Sequence, residues 1–136
     1  MPTWVYFFLV FVALIVFMSV VVHERTKRIA ASREGENFDT FRSSFDADEV
    51  PQDVLLAVYA KFQEWCSGAV AEFPVRGTDH ILAVYGMADE DLDDAIVEVI
   101  AMTGRRLPPE VQLRRMGPVI IVKDFAFFVA ECPKGV

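Results

Sequence analysis

From Trp4 to Val22 the chain runs for nineteen residues without a charge, a glycine or a proline, and Ser19 is its only clearly polar member. At the helical rise of about 1.5 Å per residue this stretch reaches roughly 28 Å, close to the roughly 30 Å hydrocarbon core of a bilayer. The pattern therefore predicts a helix that spans a membrane, with its ends at Trp4 and Val22. A cleaved secretory signal wants a basic start, an apolar core of about 7 to 15 residues and a small-x-small cleavage site. Here only Met1-Pro2-Thr3 precedes the run, the run is too long, and Ala30-Ala31-Ser32 follows only after Arg25, Lys27 and Arg28. An uncleaved anchor is expected. Arg25, Lys27, Arg28 and Arg33 lie just beyond the span, and positive charge is retained in the cytoplasm. This predicts a single-pass protein of the inner (cytoplasmic) membrane, with the N-terminus outside and the C-terminal body in the cytosol. Trp4 and Tyr6 sit where an outer aromatic belt would be. The span has no glycine and hence no GxxxG face, so no helix-mediated dimer is expected and the oligomeric state stays open.

The 136 residues divide into an anchor (1–24), a polar tether (25–49) and one small domain (50–136), whose length is near the usual domain size. Charge divides unevenly. Of the formal −7, residues 1–35 carry +2, which leaves −9 for the rest. An acidic body is a poor nucleic-acid binder, because neutralising phosphates needs a basic surface. It is also repelled by anionic lipid, so the basic stretch is expected to hug the membrane while the body stands off. Cys66 and Cys132 lack CxxC or zinc-like spacing, and a cytosolic setting disfavours a disulfide, so both are expected as free thiols.

Within the tether, Phe38, Phe41 and Phe45 recur at spacings of three and four, which places them on one helical face. They are expected to dock on the body in preference to the membrane surface. A first body helix is predicted from about Pro51 to Ser67, with Val54, Leu55, Val58, Tyr59, Phe62, Trp65 and Cys66 inward. Pro51 suits a first turn and Gly68 a stop. A loop through Phe73-Pro74 and Gly77-Thr78-Asp79 leads to a short apolar piece, Ile81 to Tyr85. The second strong helix starts in Asp89-Glu90-Asp91-Leu92-Asp93-Asp94 and turns Leu92, Ala95, Ile96, Val99, Ile100 and Thr103 inward. Its acidic first turn complements the helix dipole, and Arg105 and Arg106 complement the far end. After Leu107-Pro108-Pro109 and a loop or short turn, a last helix carries Val122, Phe125, Phe128, Val129 and Cys132 on one side.

This order of helices, with Tyr85-Gly86-Met87-Ala88-Asp89 in place of a Leu-Gly-x-Asp-Ser block, resembles the acyl carrier protein superfamily over about residues 50 to 132. Ala95, Ile96, Val99, Thr103 and Leu107-Pro108 follow at the family's spacing, and Val119 to Phe125 resembles the segment that opens its last helix. The resemblance implies a small acyl-carrier-like helical bundle for the body, so the whole chain is expected to be all-α, a single N-terminal transmembrane helix followed by that bundle. In carriers a serine at the start of the second helix accepts phosphopantetheine. Asp89 occupies that position, and no serine or threonine occurs from Ile81 to Met102. A carboxylate is not a phosphodiester acceptor, so no cofactor is expected. The chain is similar in this respect to bacterial domains of unknown function that keep the scaffold without the serine.

Asp89, Glu90, Asp91, Asp93 and Asp94 are the candidate partner-docking residues, expected to meet a basic protein through steering and rim charge pairs. An EF-hand is excluded, because Asp94 stands where the obligatory glycine belongs and Ile100 where the bidentate glutamate belongs; no metal is expected. Cys66, His80 and Asp79 can be drawn as nucleophile, base and orienter, but a thiol on the apolar face of a helix is inert. Neither HExxH, GxSxG nor a phosphate-binding glycine loop occurs, so no enzyme is expected. Arg105, Arg106, Arg114 and Arg115 are expected to be solvated. The alternative to a docking module is an acyl or lipid handling protein with an apolar interior lined by Phe62, Val99 and Phe125.

Overall fold

The computed structural model describes residues 1–46 and 48–135. Ala47, inside the expected tether, and Val136, the last residue of the expected body, lie outside the described residues. The fold is all-α, with seven helices and no strand among the described residues.

The first helix, α1 (Thr3–Ser32), continues well past the apolar run. Residues 23–32 contain no glycine or proline and are mostly good helix formers, so nothing in them stops propagation. Glu24 and Lys27 add an i,i+3 pair at 3.6 Å. The helix ends only as the chain approaches Gly35, whose φ of +91° belongs to the left-handed region that glycine adopts without strain. Thirty residues give about 45 Å, more than the bilayer core needs. Most of the apolar part of α1 stands clear of the body: Phe7, Phe8, Phe11 and Phe17 are all exposed. This is one helix long and apolar enough to cross a membrane.

The second half of the expected tether is also structured. In α2 (Phe38–Ser43) the Asn37 side chain accepts from the Thr40 N–H at 3.2 Å, and Thr40 Oγ1 accepts from the Asn37 N–H at 3.3 Å. This reciprocal cap holds a helix too short to persist alone. Phe41 and Phe45 are buried, and the Phe41 and Phe38 rings meet Tyr59 at 5.2 and 5.5 Å between centroids. The aromatic face docks on the body, as its spacing predicted.

The body is built on α3 (Gln52–Trp65), α5 (Asp89–Met102) and α7 (Val122–Glu131), with the short α4 (Ile81–Tyr85) and α6 (Glu110–Leu113) between them. Val54, Leu55, Val58, Tyr59 and Phe62 of α3 face Ala95, Ile96, Val99 and Ile100 of α5 and Val122, Phe125, Ala126 and Val129 of α7 across one core. Four residues depart from the predicted stripes: Trp65 is 41% exposed, and Leu92, Thr103 and Phe128 are only half-buried. Asp53 pairs with Arg105 and Lys61 with Glu98, so α3 and α5 run antiparallel. Gly86, at φ +67°, caps α4 and turns the chain toward α5. Short backbone crossings, Ile81 N to Ile120 O at 2.9 Å and Val122 N to Asp79 O at 3.0 Å, tie the 77–81 loop to the start of α7.

Candidate functional site

The body is held to α1 by a buried ionic network. Arg33, the C-cap of α1, is 8% exposed, and Asp79, in the loop before α4, is 4% exposed. Their side chains form a bidentate pair, Nη1 to Oδ2 at 2.8 Å and Nη2 to Oδ1 at 2.5 Å. Nη1 also donates to the Pro74 carbonyl at 2.9 Å, and the guanidinium lies over the Phe73 ring. Asp79 Oδ2 accepts further from the Tyr85 hydroxyl at 2.7 Å and the Arg76 N–H at 3.0 Å. Such a charge is tolerated away from water because its lone pairs are answered by donors, two of them charged. Burial works against the Arg33 charge, but the hydrogen bond and charge of Asp79 outweigh it and hold the guanidinium above its ordinary pKa. Burial first, and then Asp79, push the Tyr85 phenol far above its usual range, so it stays a donor at any physiological pH.

Along the rest of the contact, Arg25 donates to the Ala83 carbonyl, Ile29 and Ala30 pack on the core, and the His23 ring covers Gly68. Sequence reasoning missed this junction. Arg33 read as one more positive charge beyond the span, and its partner stands forty-six positions away in a loop.

The same network dissolves the Cys66, His80, Asp79 constellation. Asp79 is taken by Arg33 and Tyr85, while the exposed His80 caps α4, its Nδ1 accepting from the Ala83 N–H at 3.1 Å. Cys66 is buried, and desolvation, aided by the charge of Asp79, pushes its thiol up to about 11. A thiol that weakly ionised is a poor nucleophile. Folded protein is expected to resist alkylation at Cys66 at pH 8 and to react once unfolded in urea; rapid labelling of native Cys66 would contradict this burial. The raised pKa also sets a sign. Its stabilising contribution is complete below the unfolded thiol value of about 8.5 and is lost as the pH rises toward about 11.

The five acidic residues gather at one end of α5. Asp91 is used internally, its Oδ2 accepting from the Ala88 N–H at 3.1 Å to cap the helix. Asp89, Glu90, Asp93 and Asp94 are exposed. Among the described residues no group of three or more His, Cys, Asp or Glu is arranged to hold a metal ion. Beside Asp89 and Asp93 opens an apolar groove of about 610 Å³, with Leu92, Ile96 and Val97 of α5 on one wall and Leu107, Leu113 and Phe128 among the residues opposite. Asp89, Leu92 and Val119 also border a second hollow of about 480 Å³ that reaches Ile81 and Leu82, so the two adjoin.

Two expectations change. Arg105 is buried and pairs with Asp53 at 3.0 Å instead of being solvated, because the chain turns at Gly104, whose φ is +67°, and brings Arg105 to the start of α3. The interior lined by Phe62, Val99 and Phe125 is filled: each is fully buried, and the Phe62 and Phe125 rings meet edge to face at 5.3 Å. Available apolar space lies on the surface of the bundle, beside α5. No family model, curated protein or solved structure matches the chain.

Proposed function

We propose that the chain is a membrane-fixed, non-enzymatic docking module that receives a basic amphipathic segment of a partner protein in the groove beside α5. The observation that carries this reading is the groove itself, about 610 Å³ of largely apolar wall with Asp89 and Asp93 at its edge. An apolar groove with a charged rim suits a helix that presents aliphatic anchors at i, i+3 and i+4 and lysine or arginine beside them. Val97 and Leu107, both about half exposed, supply apolar contact for such anchors. The N-terminal end of α5 lies toward the membrane, because the C-terminal end of α3, at Trp65, lies at the level of Val22 and α5 runs antiparallel to α3. A partner whose basic stretch adjoins the bilayer therefore fits best, and on the cytoplasmic side such stretches are common.

In this reading α1 is a single-pass anchor of the inner membrane, with the body in the cytosol, as the positive charges after Val22 suggest. The body keeps a carrier-like order of helices with Asp89 in place of the attachment serine, and the fixed mount on α1 suits a stationary post better than a shuttle.

Photo-crosslinking in native membranes tests the groove. A crosslinking residue at Val97 is expected to capture a discrete partner, with capture weakened by salt and lost in Asp89→Lys/Asp93→Lys. Asp39→Lys, on α2, should leave it intact. Equal capture by the charge-reversed protein would sink the proposal.

A further inference from the structure

We infer that the membrane-proximal end of the body, carrying Trp65, Ala69 and the α4 edge at Leu82, rests in the headgroup layer of the leaflet from which α1 emerges. The inference rests on the reading that α1 spans the bilayer, and it goes beyond that reading by assigning a lipid-contacting surface to the body.

Height fixes which residues are involved. The apolar run ends at Val22, and the body already touches α1 there: Val22, His23, Arg25 and Thr26 share one small hollow with Trp65, Ala69 and Gly86. Arg33, the last mounting point, lies about 16 Å farther along the helix. Contacts at both ends, the bidentate pair at Arg33 and the Arg25 bond to Ala83, prevent the body from swinging out to a distance. Its near end is thus held level with the end of the hydrocarbon span, where headgroups lie.

The chemistry at that level suits the interface. Trp65 is 41% exposed although it sits on the apolar side of α3, and its indole N–H is satisfied internally by the Tyr85 carbonyl at 2.6 Å. The exposed part of the ring is therefore apolar, the usual arrangement for a tryptophan at the edge of a bilayer. Leu82, one position before the residue that receives Arg25, is 60% exposed. Asp89 and Glu90 lie at the same end of the bundle, so the contact is made by aromatic and aliphatic surface and not by attraction to anionic lipid. Asp39 is exposed on α2, whose Phe38 meets Tyr59, about 9 Å back along α3 from Trp65 and so on the side away from the membrane.

The chain has two tryptophans, Trp4 and Trp65, which makes the test direct. Single-tryptophan proteins are placed in phosphatidylcholine nanodiscs containing lipid with a nitroxide on the headgroup. In Trp4→Phe, Trp65 emission is expected to be at least halved relative to unlabelled discs. In the Trp4→Phe, Trp65→Phe background, Asp39→Trp is expected to keep nearly all its emission. The Trp65→Phe protein reports on the span through Trp4, which should be quenched. Quenched Trp4 with unquenched Trp65 would overturn the resting surface alone. Unquenched Trp4 would overturn the spanning reading and this inference with it. Equal quenching at Trp65 and at Asp39→Trp would show a body without the fixed orientation, and would also overturn it.

Discussion

Asp79→Ala is expected to destabilise the folded body by about 3–5 kcal/mol, because it leaves the Arg33 guanidinium buried without its counter-charge. Arginine has no neutral form within reach, so the loss is not relieved by a proton leaving. The Tyr85 hydroxyl and the Arg76 N–H lose an acceptor in the same step. Removing both ends of the pair is a different matter. Arg33→Met with Asp79→Leu and Tyr85→Phe replaces the network by apolar volume and is expected to recover a large part of the loss, since buried ion pairs are often no better than the hydrophobic groups that replace them. Urea unfolding in detergent micelles, followed through Trp65 emission, measures both. An Asp79→Ala protein within about 1 kcal/mol of the parent would show that the pair carries little of the join. The pair is worth retaining for geometry: it is bidentate, and it fixes where the last turn of α1 meets the loop before α4.

The parts of the fold legible in the sequence are those written in local periodicity. The apolar run of α1 and the three- and four-residue spacing of α3, α5 and α7 declare their helices and most of their buried faces. The acidic start of α5 is equally plain, because charge at a helix N-terminus is a local matter. What was not legible depends on partners distant in the chain. Arg33 and Arg105 look like any basic residue near a helix end, and only the folded chain brings Asp79 to one and Asp53 to the other. Trp65 fits the apolar stripe of α3 by spacing, yet it faces outward because the stripe meets α1 and α4 at that end instead of the core. The groove beside α5 belongs to the same class. Its walls come from α5, the 107–119 segment and α7, and no periodicity within one segment announces a space between three. Polar composition misled in residues 25–32, where charged residues on a continuing helix resemble those of a linker.

Phe41→Ala offers the sharpest check that this supposed linker belongs to the domain. Phe41 is 1% exposed, and its ring meets Tyr59 at 5.2 Å and Phe45 at 5.2 Å. Truncating a fully buried phenylalanine costs about 3–5 kcal/mol when the surroundings do not collapse into the space. The low end of that range is expected, because α2 is a single short helix that has some freedom to shift toward α3. Phe38→Ala, on a half-buried ring at the rim of the same cluster, should cost clearly less. The two variants together separate a docked element from a tether, since in a tether both would lie within about 0.5 kcal/mol of the parent. Urea unfolding of the full chain reads the difference. A loss of several kcal/mol at Phe41 would extend the body to include α2, so that α1, α2 and the bundle share one core. Under the proposed function, a docking surface held in that way would present Asp89 and Asp93 at a fixed height above the bilayer, which a freely tethered domain would sample only a small part of the time.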